Sequence, residues 1–303
     1  NGTVMSYQGV VNRIKQHPIG ERKLKTVTAD HLQAYMDLLS FGGTNPDGTT
    51  AKALSKGYLR LFSAVLQGAF RFAVFPKRLI SFNPMQYVVW RGKKEEYELF
   101  SDEDGDVTSA PTISHEQYLK LEDFLKKKDN PALLPIQIAY YTGLRIGEVC
   151  ALKWENIDFE TSALTVVGTQ TRTEKGVRVT PPKSQSSKRK IPIPDFLINK
   201  LIAMPKTCEY VLSREGKAYD VRTYRRYFKS ILSSAGLPDI HYHALRHMFA
   251  TRALEVGMNY KTLSEILGHS TVAITLDLYA HSIDEHKKRE MSKLGEIYQN
   301  KSQ

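Results

Sequence analysis

Cysteine is scarce: the 303-residue chain has two, Cys150 and Cys208, far apart in sequence. That is too few for a disulfide framework, and a reducing, cytoplasmic setting fits. Cys150 lies in an apolar helical run and reads as a buried thiol. Long apolar runs are missing too; none approaches the roughly 20 residues of a membrane-spanning helix. No signal-peptide pattern opens the sequence, and no strongly amphipathic anchor offers itself to an anionic membrane. The opening residues, Asn1-Gly2-Thr3-Val4, lack an initiator Met, which is expected of a fragment or of residues left by cloning. Acidic residues are outnumbered, 32 Asp and Glu against 43 Lys and Arg, for a net charge of +11. A polyanionic partner is implied, and DNA is the commonest. The acidic residues do not cluster near the basic blocks, which argues against a metal-dependent nuclease. The run Asp102–Asp106 resembles a calcium loop, but the position for its bidentate Glu holds Ile113 and the required Gly position holds Val107.

A chain of this length predicts two domains. Residues 1–92 read as a helical unit with a first helix over 5–16. A second helix is capped by Thr28, with Leu32, Tyr35, Met36 and Leu39 at helical spacing. After a loop at Gly42-Gly43 and 45–48, a longer helix carries Leu59, Phe62, Val65, Leu66, Ala69 and Phe70 as a core stripe. Lys52, Lys56, Arg60 and Arg71 punctuate that stretch and are candidates for DNA-backbone contact. Asn83-Pro84 ends the unit. Residues 93–112 are polar and read as an interdomain linker. A second domain, 113–303, opens with Ser114 and Gln117 as a capping box. Residues 163–170, 177–180 and 190–194 have strand character. Residues 195–235 read as helical and carry Arg222, Arg225 and Arg226, further candidates for DNA contact.

The stretch His243-Ala244-Leu245-Arg246-His247 falls in a run, 241–257, that reads as one helix. His243 and Arg246 are three apart and share a side. Leu245, Met248, Phe249 and Val256 face a core on the other. A guanidinium forks onto two phosphate oxygens, and an imidazole moves a proton near neutral pH. Together they point to phosphate chemistry. His243 and His247 also have the spacing of a zinc-binding helix. Ala244, however, stands where the Glu should follow the first His, and Arg246 would set a positive charge beside the metal. Upstream, an apolar helix through 136–141 ends at Thr142-Gly143. Arg145 follows in the turn, aimed at a cleft, and Glu148 reads as its orienting partner. Downstream, a helix over Tyr260–Leu267 stops at Gly268 with His269 just beyond, and 271–277 leads to Tyr279. The tail, from about 283, opens with Ser282 and Glu285 as a capping box. It carries Met291, Leu294, Ile297 and Tyr298 as an apolar stripe that must dock on something.

The blocks Thr142-Gly143-Leu144-Arg145-x-x-Glu148, His243-x-x-Arg246, Leu267-Gly268-His269 and Tyr279, in this order, resemble the tyrosine recombinase (phage-type integrase) family. The resemblance runs from about residue 5 to about 290 and is greatest to integrases of bacterial conjugative transposons. It implies a mainly α chain with a small antiparallel β-sheet: an N-terminal helical core-binding domain and an α/β catalytic domain. It also implies that Lys183, in the turn 181–189, is the hairpin lysine; Lys188 and Arg189, in the same basic segment, are further candidates for DNA contact. Arg145 and Arg246 would clamp a scissile phosphate, His243 would take the proton of Tyr279, His269 would donate to the phosphate, and Lys183 would protonate the leaving 5′-oxygen. The intermediate is a 3′-phosphotyrosine that keeps the bond energy, so no metal, ATP or other cofactor is expected. The implied partners are double-stranded DNA, further copies of the chain (dimer to tetramer, linked through the tail), and an excisionase or DNA-bending accessory protein. The setting would be the bacterial cytoplasm, on DNA. The family's N-terminal arm-binding module is not visible, which again fits a truncated chain. Two alternatives stay open: a DNA-binding regulator that does not cleave, and a type IB topoisomerase.

Overall fold

Helix caps and apolar stripes fix the first unit. In the computed structural model, contacts divide the chain into residues 1–109 and 110–303. The structure describes residues 2–45, 48–89, 113–173, 176–181, 188–214, 216–278 and, in the tail, 291, 292 and 298. The linker expected at 93–112 and most of the tail, including Ser282, Glu285, Leu294 and Ile297, lie outside the described residues. In the first unit, α1 (Gly2–Gln16) precedes α2 (Ala29–Phe41), whose cap is the Thr28 side chain accepting from His31 N. A two-residue pair, β1 (Gly43–Thr44) with β2 (Thr50–Ala51), leads to α3 (Lys56–Val74), capped by Ser55. Val10, Leu32, Tyr35, Met36, Leu39, Leu59, Phe62, Leu66, Phe70 and Met85 form its core. The expected α3 stripe is shifted at one place: Ala69 is exposed, and Ala73, a turn later, is buried.

The second unit opens with α4 (His115–Lys127), where Ser114 and Gln117 form a reciprocal capping box. The apolar α5 (Leu133–Thr142) ends on Gly143 in the left-handed conformation, and α6 (Ile146–Ala151) follows at once. Next come β3 (Ile157–Asp158), β4 (Ala163–Val166), β5 (Thr169–Thr173), β6 (Gly176–Thr180) and β7 (Arg189–Pro192). The strand expected over 163–170 is two strands. It breaks at Val167-Gly168, and a Cβ on Gly168 would sit 2.9 Å from Val179 Cγ1 and 3.1 Å from Thr180 O. β4 joins the antiparallel sheet β3-β4-β7, with Leu164 opposite Ile191 and Val166 opposite Arg189. β5 and β6 form a separate hairpin. The region expected to be helical over 195–235 holds α7 (Asp195–Ala203), then a hairpin of β8 (Ser213–Arg214) and β9 (Lys217–Ala218), then α8 (Val221–Ser234). The chain closes with α9 (Ala244–Glu255), α10 (Tyr260–Leu267) and α11 (Val272–Leu278). α9 is shorter than the sequence implied: His243 is its N-cap, and Val256, expected to face the core, is 80% exposed beyond its end. Tyr242 Oη donates to Pro135 O at 2.7 Å and so anchors the start of α9 to α5.

Candidate active site

Two chain turns and one helix start make the site. Gly143 is where α5 stops and where α9 and α10 press in. A Cβ there would lie 2.6 Å from Phe249 and 2.9 Å from Leu267, and its φ of +67° is strained for other residues. Leu144 is buried, and Arg145 follows in extended backbone as the N-cap of α6. Glu148, at the third position of α6, accepts from Arg145 N at 2.9 Å and from its Nη1 at 3.2 Å. The Arg145 side chain keeps 20% of its surface exposed. This half-open guanidinium, held by a buried carboxylate, is a rigid donor at the mouth of the turn.

Arg246 does not point off a packed helix as the sequence pattern implied. It is 3% exposed, and its Nη1 donates to Gly143 O at 2.8 Å while Nη2 donates to Leu267 O at 2.7 Å. One guanidinium therefore ties the turn after α5 to the end of α10. A helix end leaves its last four carbonyls without helical partners. At α10 all four are met: Ser264 O accepts from Gly268 N and His269 N, Glu265 O from Gly268 N, Ile266 O from Arg189 Nε, and Leu267 O from Arg246. The negative end of the helix dipole also favours cations there. His269 follows Gly268, and its Nδ1 is 2.8 Å from Oγ1 of the fully buried Thr275 on α11. When the hydroxyl donates to Nδ1, the proton sits on Nε2, the atom that can donate to a phosphate oxygen.

The cluster is strongly cationic, and its histidines feel it. His243 is half-buried, and its ring centroid is 4.8 Å from that of His247. Burial, then the charge of Arg246, then His247, Arg145 and His269 bring its pKa down to about 2. Burial followed by Arg246, Arg145 and Arg189 brings His269 to about 3, and burial followed by Arg246 brings His247 to about 4. Burial alone would raise Glu148; hydrogen bonds and charge from Arg189, then Arg145 and Arg246, overcome it and hold the carboxylate ionised at about 2. Neutral imidazoles among fixed guanidinium groups suit the binding of an anionic group.

The structure thus brings Arg145, His243, Arg246 and His269 together. Lys183 and Tyr279 lie outside the described residues. Arg189 is a correction: read from sequence as a DNA contact, it is 8% exposed, and its Nη1 and Nη2 each meet a Glu148 oxygen at 2.9 Å. A signal was present, because Arg189 alternates in phase with Ile191 and Ile193, the inward-facing residues of β7 and just beyond. Thr275 was also missed; it lies six residues after His269 with no spacing that singles it out. Lys188, Arg222, Arg225 and Arg226 are exposed, the last three on the outer side of α8 opposite buried Tyr224, Phe228 and Ile231. Arg226 also lines an open depression of about 590 Å³ with Tyr219, Thr223, Tyr227 and Ser230. In the first unit, Lys52, Arg60 and Arg71 are exposed and Lys56 is half-buried. Lys56, Arg60 and Arg71 fall on one side of α3, beside its buried stripe.

The phage integrase family matches residues 111–286. A tyrosine recombinase XerC-like protein of Caldanaerobacter subterraneus subsp. tengcongensis is 31% identical over 326 residues, covering 98% of this chain and 78% of the relative. The transposase from transposon Tn916 of Enterococcus faecalis is 30% identical over 213 residues, covering 63% of this chain. The chain spans about half of that transposase, 53%. Among solved structures, the Tn1549 transposon integrase in complex with transposon right end DNA superposes with a TM-score of 0.78 at 23% identity, covering 97% of this chain and 94% of the other. A λ integrase tetramer bound to a Holliday junction gives a TM-score of 0.61 at 20% identity, covering 89% and 69%. At these identities the likeness is one of fold.

Proposed function

The chain belongs to the phage integrase family, and from that premise we propose that it is a site-specific DNA recombinase that integrates and excises a mobile element. The observation that carries this reading is the Arg246 bridge. It draws the turn bearing Arg145 and the turn bearing His269 onto the helix start that bears His243. Strand cleavage follows from residue chemistry. Tyr279 Oη attacks the scissile phosphorus as its proton passes to His243. The P–O5′ bond breaks, and Lys183 protonates the departing oxygen. The product is a 3′-phosphotyrosine and a free 5′-hydroxyl, and attack by a 5′-hydroxyl from another strand reverses the steps. Arg145 and Arg246 supply charge where the pentacoordinate state gathers it. A phosphate in the site also opposes what keeps the histidines neutral, so His243 becomes a better base once DNA is bound.

The chain acts on double-stranded DNA as an assembly of its own copies, up to four in synapsis, joined through the tail. A λ integrase is known both as a dimer on a core site and as a tetramer on a Holliday junction. An excisionase or DNA-bending protein sets the direction. Cleavage is set in the bacterial cytoplasm; among the described residues no helix is long and apolar enough to cross a membrane. Residues 1–92 form the core-binding domain, 93–112 the linker and 113–303 the catalytic domain. Lys52, Lys56, Arg60, Arg71, Lys188, Arg222, Arg225 and Arg226 contact the DNA.

The test uses a nicked duplex carrying the element's end, from which the strand beyond the nick diffuses away. Wild type is expected to form an adduct that survives denaturing electrophoresis, and Tyr279→Phe is expected to form none. An adduct with both would move the nucleophile to another residue. Tight binding with no adduct from either would replace the recombinase by a DNA-binding regulator.

A further inference from the structure

We infer that Arg189 is a positioning residue for strand cleavage: it locks Glu148, and through it Arg145, to the end of α10 that presents His269. The inference rests on the cleavage reading above. Arg189 starts β7, six residues after Lys183 in sequence, and its side chain turns inward beside Ile191. Three donors of one planar group are engaged at once. Nη1 and Nη2 each meet one Glu148 oxygen at 2.9 Å, and Nε meets Ile266 O at 2.5 Å. Glu148 in turn holds Arg145 at backbone and side chain. The adjacent carbonyl, Leu267 O, belongs to Arg246. Two guanidinium groups therefore lie side by side across the end of α10, with one carboxylate, Glu148, offsetting part of the buried charge.

The geometry leaves little slack. A Cβ on Gly268 would lie 3.0 Å from Arg189 Cδ and Nη1 and 3.1 Å from Nε, so the residue before His269 is confined by Arg189 itself. Lys cannot reproduce this arrangement, because an ammonium has no planar fork to serve two carboxylate oxygens and a carbonyl together. β7, α6 and α10 meet only at this side chain among the described hydrogen bonds. Its removal would leave the Arg246 bridge alone to hold the Arg145 turn to the end of α10, with Glu148 no longer fixed to Ile266, and a misplacement of about 1 Å costs on the order of 10²-fold in rate. Binding of the duplex, spread over many exposed basic residues, would change little.

The experiment measures single-turnover adduct formation on the nicked duplex, together with duplex Kd and Tm, for wild type, Arg189→Gln, Arg189→Lys, Glu148→Gln and the double variant Glu148→Gln/Arg189→Gln. Arg189→Gln is expected to cleave about 10²-fold more slowly with Kd within about threefold of wild type, and Arg189→Lys to recover only part of the loss. The double variant is expected to be no slower than Arg189→Gln, since both changes break one device. Arg189→Gln also removes the largest of the influences that hold the Glu148 carboxyl ionised, leaving Arg145 and Arg246, so the acid limb of its cleavage rate shifts to higher pH than in wild type or the double variant. Full recovery in Arg189→Lys, wild-type cleavage by Arg189→Gln, or an additive double variant overturns the inference. Should Arg189→Gln fail to fold, the double variant, which removes both members of the Glu148–Arg189 ion pair rather than one, decides: cleavage slower than that of Glu148→Gln alone or equal to it, at normal Kd, supports the inference, and wild-type cleavage overturns it. If wild type forms no adduct, the cleavage reading fails first and takes this inference with it.

Discussion

Thr275 offers a sharp test of how His269 works. Its hydroxyl is fully buried and lies 2.8 Å from His269 Nδ1. Thr275→Val keeps the shape and removes the donor. A neutral hydrogen bond contributes about 1 kcal/mol net, and a buried group left unpaired costs about 1–3 kcal/mol. The ring can relieve that cost by moving its proton to Nδ1 or by rotating. On the proposed cleavage mechanism, either change takes the Nε2 donor away from the phosphate. A transition-state loss near 1.4 kcal/mol is about tenfold in rate. Single-turnover cleavage of the nicked duplex should therefore slow about tenfold in Thr275→Val, with Kd unchanged and most of the rate restored in Thr275→Ser. Imidazole ¹⁵N shifts should report Nε2–H in wild type and a mixture in the Val variant. Wild-type cleavage by Thr275→Val would refute the reasoning, as would a Thr275→Ser variant no faster than Val.

Three further outcomes are expected. His243, His247 and His269 have native pKa values of about 2, 4 and 3, against 6.5 unfolded. The unfolded chain therefore takes up protons below pH 6.5 that the native chain refuses. Stability is full above that pH and falls as pH drops, by about 1.4 kcal/mol per pH unit for each histidine. Denaturant midpoints that stay level between pH 7.5 and 5 would show the imidazoles to be solvated instead. Replacing Arg222, Arg225 and Arg226 by Ala should weaken duplex binding alike on all sequences and flatten the slope of log K against log salt by about 0.9 for each phosphate no longer neutralised; anisotropy titrations with an unchanged slope would take α8 off the DNA. Lys183→Ala should slow cleavage by at least about 10², within the usual contribution of a general acid, while gel-shift affinity stays near wild type; weakened binding would instead give Lys183 a role in gripping the DNA backbone.

The sequence alone settled the helices with strong periodicity and clear punctuation. The Thr28 cap, the Ser114–Gln117 box, and the stops at Gly143 and Gly268 are local chemistry, and each stands where the residues put it. The ordered Arg, His-x-x-Arg and Gly-His blocks could be read because each needs only a few neighbouring residues. Strand ends were less legible: the break at Gly168 depends on Val179 and Thr180 across the hairpin, not on its neighbours. Arg189 and Arg246 show what the linear pattern could not weigh. As letters, both are cations free to meet DNA. In the fold each is buried on carbonyls and, for Arg189, on a carboxylate far away in sequence, because only tertiary packing brings the end of α10 against α6 and the turn at Gly143. Local propensity and residue type determined which elements form and which chemistry is present. Long-range closure decided which charges face the substrate and which hold the site together, since burial depends on what every other element leaves exposed.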